Sequence, residues 1–178
     1  MMQMVDFETP RLHFRRFTPD DLHALAAIRA DPDVMKYIGP GRTETIEEVQ
    51  AKLLKVMTHW EQHGFGYWAL IDKATSKLAG WCGLSYLEDT EDIEIGYGLA
   101  KAYWGKGLAT EAAAAAMKHG FVQLRLDRIV AVAYPENVPS QVIMKKLGMN
   151  YVKTARFIGG EWVYYVIERE EYQAAQNA

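Results

Sequence analysis

The sequence has a single cysteine among its 178 residues, which excludes a disulfide bond within the chain. This residue, Cys82, lies in the apolar run LAGWCGL. A cysteine in such a run is typical of a small buried hydrophobic residue and not of a reactive thiol. We therefore expect Cys82 to fill space in the core.

Long apolar runs and a strong excess of charge are also missing. No stretch reaches the ~18 apolar residues of a membrane span, and the first residues, MMQMVDFETPR, lack the apolar segment of a signal peptide. The formal net charge of −3 does not favour nucleic acid as a partner. We expect a cytoplasmic protein that binds neither a membrane nor nucleic acid.

The chain has no internal repeat, low-complexity tract or linker rich in proline, glycine or serine. Its length is that of one ordinary domain with a sizeable core. We therefore predict a single domain over residues 1–178.

The first third of the chain predicts one strand and two helices. RLHFRRF at 11–17 alternates apolar with polar side chains, which favours a half-exposed strand. The first helix opens at Thr18 or Asp20, and a helical turn, DVMKYIG, follows it. A longer helix opens at Thr43 or Thr45.

The rest of the chain predicts a meander of three strands, an alanine-rich helix, a buried strand, a short helix and a closing hairpin across Gly159-Gly160. The meander covers 66–72, 77–87 and 91–100, the alanine-rich helix covers about 107–122, and the buried strand covers 127–134. A loop and the short helix share 135–148, and the two strands of the hairpin cover 149–157 and 161–169. The order β-α-α-β-β-β-α-β-α-β-β predicts an α/β or α+β fold.

Gly105 and Gly107 stand where a predicted strand ends and the alanine-rich helix begins. Glycine permits a sharp turn and a close approach to the backbone, and the first N–H groups of a helix have no partners within it. These two features predict an anion site, most naturally for a phosphate or pyrophosphate. Lys106 adds a charge to this site or is only solvated, and Thr110 caps the helix or donates its hydroxyl.

Five consecutive alanines at 112–116 follow the loop. Alanine is the best helix former, which is sufficient to explain the run. A helix with such small side chains can also lie unusually close to a sheet, and we expect the alanine-rich helix to pack closely in this way.

The segment EIGYGLAKAYWGKGLATEA resembles the cofactor-binding motif of the GNAT superfamily of N-acetyltransferases, in the branch that contains the ribosomal-protein N-terminal acetyltransferases RimJ and RimL. Trp104 through Ala109 match the superfamily pattern [RQ]-x-x-G-x-[GA] except at the first position, where this chain has Trp104. The order of elements fits over nearly the whole chain. The resemblance implies a mixed, mostly antiparallel twisted sheet flanked by helices.

The resemblance also implies that the ligand is acetyl-coenzyme A and that no metal is needed. Main-chain groups of Tyr97 and Leu99 would pair with the pantetheine arm of this co-substrate. The loop residues that would bind it, chiefly at the pyrophosphate, are Trp104, Gly105, Lys106, Gly107, Leu108, Ala109 and Thr110.

Acetyl transfer to an amine needs a base, because only the neutral amine is a nucleophile. Glu94 is the candidate, since alternation along DIEIGYGL places it on one face with Gly96 and Gly98, where a hollow could hold a ligand. The alternative is a solvent-facing strand residue in an acidic neighbourhood.

Asn137 and Ser140 lie where a predicted strand leads into a short helix, and both are ordinary capping residues. The resemblance implies further roles, with Asn137 bonded to the pantetheine and Ser140 near the thioester sulfur as a catalytic residue. Many superfamily members have an acidic tyrosine where this chain has Met144. The proton donor would then be Ser140 or water.

We therefore predict an N-acetyltransferase in which a primary amine attacks acetyl-coenzyme A directly in a ternary complex, with a protein N-terminal amine as a candidate acceptor. Two alternatives stay open, an enzyme for a small amine, amino acid or antibiotic, and a non-catalytic acyl-coenzyme A sensor. The chain could be a monomer or a homodimer. His59 and His63 have the spacing of metal ligands but no third ligand, so we expect no metal there.

Overall fold

The computed structural model describes residues 6–157 and 160–177. The first part of the chain contains two short strands followed by three helices. Strand β1 spans Phe7–Glu8 and strand β2 spans Leu12–Arg15. Helix α1 spans Leu22–Arg29, helix α2 spans Pro32–Met35 and helix α3 spans Ile46–His63.

The remainder alternates strands with helices and ends on a helix. Strands β3, β4 and β5 span Tyr67–Asp72, Leu78–Tyr86 and Ile93–Leu99. Helix α4 spans Leu108–Val122, strand β6 spans Arg128–Ala133 and helix α5 spans Val138–Lys146. Strand β7 spans Asn150–Phe157, strand β8 spans Gly160–Glu168 and helix α6 spans Arg169–Gln176.

The eight strands of the described residues belong to one sheet, in the order β1-β2-β3-β4-β5-β6-β8-β7. Within the described residues β5 and β6 pair in parallel at a single register position, Glu94 opposite Val130, whereas the pairs formed by β1 to β4 and by β6 to β8 are antiparallel. The predicted fold class, a mixed and mostly antiparallel sheet with helices, is confirmed.

Two elements were missing from the prediction. Strand β1 has two residues, which is too short for an alternating pattern to be visible. Helix α6 is short and polar, and its one local signal is the capping box in which the Glu168 N–H donates to Glu171 Oε2 at 2.9 Å. The closing hairpin is confirmed as strands β7 and β8, but Gly159 of its predicted turn lies outside the described residues.

Helix α3 begins and ends as its sequence predicts. Thr45 and Glu48 form a capping box at its start, and Gly64 ends it in the left-handed region at φ 74°. Thr18 caps a 3₁₀ turn over Pro19–Asp21, and α1 starts only at Leu22.

The backbone contacts divide the chain into two compact units. The first comprises Met1–Gly83 and Tyr97–Ala112, and its core packs α1 and α3 on the sheet through buried side chains that include Phe17, Leu25, Leu53 and Trp81. The second comprises Leu84–Gly96 and Ala113–Ala178. Its buried side chains include Met117, Ile129, Val130, Met144, Tyr165 and Ile167.

Helix α4 lies very close to its neighbouring strands at Gly120. A Cβ atom at this position would be 2.8 Å from Cδ1 of Ile129 in β6 and 3.0 Å from Cδ1 of Leu84 in β4. Ala113 and Ala116, on the same helix, have no exposed surface. The expected close packing of the alanine helix is therefore present, and Gly120 contributes to it as much as the alanines do.

Candidate functional site

The loop between β5 and α4 has the backbone that its glycines predicted. Gly105 and Gly107 lie in the left-handed region at φ 71° and 74°, where side chains other than glycine are strained. A Cβ at Gly105 would meet no atom within 4 Å, so the space above the loop is open. Helix α4 follows at once, with the Glu111 N–H donating to the Gly107 carbonyl at 3.0 Å. An exposed loop at a helix N-terminus can bind an anion.

Trp104 connects this loop to strand β5. Its indole N–H donates to the Leu99 carbonyl at 2.9 Å, while the residue as a whole remains 45% exposed. The resemblance assigned both residues to the co-substrate. The structure shows that they are bonded to each other, so that Trp104 sets the path of the chain from β5 into the loop.

Lys106 is turned back toward a 3₁₀ turn over Lys101–Tyr103, which precedes the loop. Its Nζ donates to the Ala102 carbonyl at 2.9 Å and lies 5.8 Å from the Tyr103 ring centroid. The Lys106 carbonyl accepts from Nη1 of Arg11 at 2.7 Å, which holds the middle of the loop.

Glu111, in the first turn of α4, collects three further hydrogen bonds from the N-terminal segment. The Arg11 Nε donates to Glu111 Oε2 at 2.6 Å, and the Arg11 main-chain N–H and the Thr9 hydroxyl donate to Oε1 at 3.0 and 2.6 Å. Partial burial raises the pKa of Glu111, but these hydrogen bonds outweigh it and leave the pKa below its ordinary value. Arg11 and Glu111 were not predicted to belong to the site, because no local sequence pattern pairs residues so far apart.

Glu94 is half-buried in β5 and has a perturbed carboxyl group. Burial, together with repulsion from Glu88, raises the pKa of Glu94 to about 7, although a hydrogen bond with Ser85 acts in the opposite direction. The carboxyl can therefore both accept and release a proton near neutral pH. A solvent-facing carboxylate would not have this property.

The hollow predicted beside Glu94 does not include Gly98. A Cβ on Gly98 would be 2.2 Å from the Trp81 ring, so the indole covers this glycine and its small size serves core packing. The expectation that Gly98 lines an open hollow was wrong, because strand alternation says nothing about what packs on each face. Tyr97 is half-buried and Leu99 buried on the same strand.

Asn137 is the N-cap of α5. Its side-chain oxygen accepts from the Ser140 main-chain N–H at 3.3 Å, whereas its amide NH₂ makes no hydrogen bond within the described part of the chain. Capping and donation to a ligand therefore use different atoms, and both predicted roles are compatible. The Ser140 side chain is half-buried in the first turn of the helix.

Two other side chains near α5 belong to the core. Met144, at the position of the family's tyrosine, is 2% exposed. Tyr165, in β8, is also 2% exposed, and its hydroxyl donates a hydrogen bond to Gln141 Oε1 at 3.2 Å. Gln141 in turn donates to the Pro135 carbonyl at 2.8 Å, which ties the start of α5 to the sheet.

Cys82 has no exposed surface, as predicted, and its burial raises the pKa of the thiol far above the ordinary range. His59 shares a short hydrogen bond with the Phe65 carbonyl. Over residues 6–157 and 160–177 no group of three or more histidine, cysteine, aspartate or glutamate side chains is placed to hold a metal. In the same ranges no helix has the length and apolar character that crossing a membrane requires.

Residues 11–150, which include the loop, Glu94 and Asn137, match the family described as Acetyltransferase (GNAT) domain. The chain belongs to the GNAT family. YnaD of Bacillus subtilis (strain 168), an uncharacterized N-acetyltransferase, is 34% identical to this GNAT protein over 170 residues, which cover 92% of this chain and 97% of YnaD.

Solved structures of GNAT proteins share the fold. A GNAT-family acetyltransferase from Bacillus anthracis superposes with a TM-score of 0.81 at 31% identity, over 93% of this chain and 99% of that one. The ribosomal L7/L12 acetyltransferase RimL, solved in complex with coenzyme A, gives a TM-score of 0.76 at 16% identity, over 90% and 95% of the two chains. The family match, the 34% identity to YnaD and the 31% identity to the Bacillus anthracis acetyltransferase show that this GNAT protein is an N-acetyltransferase that uses acetyl-coenzyme A. The prediction of an enzyme is confirmed.

Proposed function

We propose that this enzyme transfers the acetyl group of acetyl-coenzyme A to a primary amine by direct attack in a ternary complex, with Glu94 as the general base. The observation that carries this proposal is the position of Glu94, whose carboxyl group is half-buried in β5 near Glu88, so that its pKa is raised to about 7. A base is most effective when its pKa lies near the working pH, since it is then largely deprotonated and still basic enough to take a proton.

Acetyl-coenzyme A supplies an activated acetyl group as a thioester, and the protein's residues orient it and move protons. The ammonium form of the acceptor loses its proton to Glu94, directly or through one water, and the resulting neutral nitrogen attacks the acetyl carbon. The bond between the acetyl carbon and the sulfur then breaks, and the sulfur takes up a proton from the Ser140 hydroxyl or from water, because Met144 offers none. The nitrogen releases its second proton to water, and that proton restores the donor. Cys82 is excluded as an acyl carrier by its complete burial, which supports direct transfer.

Binding of the co-substrate is proposed to use main-chain groups for the most part. The exposed loop and first turn of α4, Gly105, Gly107, Leu108, Ala109 and Thr110, offer N–H groups to the pyrophosphate. The main chain of Tyr97 and Leu99 and the unused amide NH₂ of Asn137 pair with the pantetheine. Trp104 and Lys106 support the loop through their bonds to Leu99 and Ala102 and border the bound phosphates.

The acceptor that we propose first is a protein N-terminal amine. The resemblance of EIGYGLAKAYWGKGLATEA to the RimJ and RimL branch supports it, and the shared fold with the ribosomal-protein acetyltransferases is consistent with it. A small amine or amino acid is the competing acceptor.

Release of free coenzyme A should be followed with two panels, of peptides with different N-terminal residues and of small amines, amino acids and aminoglycosides. Turnover with peptides that disappears when their N-terminus is formylated supports the N-terminal acceptor. Turnover with small amines and none with peptides would show that the acceptor is a small amine and not a protein N-terminus. Initial rates at several concentrations of both substrates should give intersecting lines in double-reciprocal plots, and parallel lines would exclude the ternary complex.

A further inference from the structure

A cavity of about 290 Å³ lies within the first compact unit, between α1, α3 and the face of the sheet. None of the residues that we assign to the co-substrate lines it. Its lining residues are Phe17, Leu25, Arg29, Ile38, Lys52, Leu53, Lys55, Val56, Tyr67 and Trp81.

The floor of this cavity is apolar and well ordered by packing. Phe17, Leu25, Leu53 and Trp81 are all at most 8% exposed and belong to one hydrophobic cluster. An apolar surface of this kind favours a ligand with an aliphatic or aromatic body. The volume is at the lower end of the roughly 300–1,000 Å³ of small-molecule sites, so the ligand must be small.

The wall of the cavity carries a guanidinium group that is fixed in place. Arg29 Nε and Nη2 donate to the two oxygens of Glu44 at 2.6 and 3.2 Å, and the Arg29 guanidinium carbon lies 4.8 Å from the Trp81 ring centroid. The remaining nitrogen, Nη1, makes no hydrogen bond to any described residue. The Arg29 side chain is 12% exposed, so this donor is held in position and available.

Glu44 holds that guanidinium in its orientation. Its side chain is 2% exposed, and it also accepts from Lys52. Burial alone raises the pKa of Glu44, but the hydrogen bonds from Arg29 and Lys52 outweigh it, and the pKa lies below its ordinary value. Glu44 is therefore ionised, and its charge is already matched.

The rim adds positive charge. Lys52 and Lys55 lie on α3, one turn apart, and both are exposed. The charged residues of the lining are Arg29, Lys52 and Lys55, and Glu44, which pairs with the first two, supplies one negative charge. The cavity therefore has an excess of positive charge beside an apolar floor. A ligand complementary to it has one anionic group and an apolar body.

We propose that this cavity binds a small carboxylic acid with an apolar body, whose carboxylate accepts from Nη1 of Arg29 and lies near Lys55. The carboxylate suits the planar fork of arginine. The assignment does not depend on the acetyl-transfer chemistry, since binding alone reveals it.

Calorimetry with 3-phenylpropionate and its neutral analogue 3-phenyl-1-propanol tests the charge requirement on the intact enzyme. We expect the acid to bind at least about tenfold more tightly, because hydrogen bonds to charged groups contribute more than neutral ones. Equal affinity for acid and alcohol, or no binding of either, would overturn the proposal.

Two variants locate the binding without disturbing Glu44. Lys55→Glu should lower the affinity for the acid at least about threefold and leave the affinity for the alcohol unchanged. Lys118→Glu, an exposed lysine on α4, makes the same change in net charge and should leave both affinities unchanged. Val56→Trp should abolish binding of both by filling the cavity. If neither Lys55→Glu nor Val56→Trp changes the affinity for 3-phenylpropionate, the acid binds outside this cavity and the proposal is refuted.

The same carboxylate chemistry could belong to a reacting molecule or to a regulator. Phenylalanine has both an amine and a carboxylate with an apolar body. Incubating it with acetyl-coenzyme A and the enzyme distinguishes a reacting molecule from a regulator. Formation of N-acetylphenylalanine with a KM raised by Lys55→Glu identifies the cavity as an acceptor site. Binding of 3-phenylpropionate without acetylation of phenylalanine identifies a regulatory site.

Discussion

Arg11 and Glu111 are 100 residues apart in the chain and form a salt bridge in which Nε lies 2.6 Å from Oε2. Arg11 also donates to the carbonyl of Lys106 in the glycine loop. A carboxylate in the first turn of α4 would repel a phosphate at the helix N-terminus if it were unmatched. Arg11 therefore has two effects on the loop, holding its backbone and cancelling the negative charge beside it.

Removal of Arg11 should impair binding of the co-substrate more than turnover. We expect Arg11→Ala to raise the KM for acetyl-coenzyme A about tenfold with kcat within about twofold, since a charged hydrogen bond to the loop is lost and Glu111 is left unmatched. Arg42→Ala removes a similar exposed pair with Glu48 and should change neither constant. A loss confined to kcat, or equal effects in both variants, would contradict this role.

The loop itself can be tested at Gly107. Gly107→Glu should abolish binding of acetyl-coenzyme A in calorimetry, because a side chain and a negative charge would occupy the phosphate site. Gly39→Glu is a matched control, since Gly39 also has a positive φ and open space around its Cβ position. Unchanged affinity in a folded Gly107→Glu protein would show that the anion binds elsewhere.

Asn137 offers a way to separate capping from binding. Asn137→Ala should weaken binding of acetyl-coenzyme A by roughly 1–2 kcal/mol and also lower the melting temperature. The reason is that the capping oxygen and the NH₂ group that would bind the pantetheine are both lost. Asn137→Asp keeps the capping oxygen but lacks the NH₂ group, so the melting temperature should recover while the affinity does not. If Asn137→Asp restores affinity as well, Asn137 is a cap and nothing more.

The general-base role of Glu94 predicts a change in the pH profile. Glu94→Gln should lower kcat at pH 7 by at least about tenfold and leave the affinity for acetyl-coenzyme A nearly intact. The rise in rate through pH 7 should disappear, and the deficit should shrink at higher pH, where more of the amine is already neutral. Glu88→Gln removes only the neighbouring charge, and should move the rise to lower pH because that charge raises the pKa of Glu94. Wild-type rates in Glu94→Gln would assign proton removal to water or another group.

The same carboxyl group should make stability depend on pH. Since folding raises the pKa of Glu94 from 4.5 to about 7, its contribution is present below pH 4.5 and is lost as the pH rises through 7. Glu94→Gln cannot ionise, so its free energy of unfolding should increase relative to wild type by about 3 kcal/mol between pH 4.5 and pH 8.5. Urea unfolding at the two pH values measures this difference. A difference that does not change with pH would mean that Glu94 is solvated in the folded protein.

The features that the sequence predicted well are local ones. The left-handed glycines at 105 and 107, the capping box of Thr45 and the end of α3 at Gly64 depend on residues within one or two turns of each other. Their conformational preferences are therefore present in the sequence itself. The order of strands and helices likewise predicted the α/β or α+β class, and the resemblance to the GNAT superfamily implied the mixed sheet.

By itself, then, the sequence determined all the strands and helices except β1 and α6, together with the glycine loop and Cys82 as a buried residue, because backbone preference and hydrophobic pattern act over short distances along the chain. Only the tertiary structure decided that Arg11 pairs with Glu111, that Trp81 covers Gly98 and that the pKa of Glu94 is near 7. Each of these depends on which distant side chains meet in space and how much water they exclude. Neither salt-bridge pairing nor desolvation follows from the spacing of residues, so both had to be observed in the folded chain.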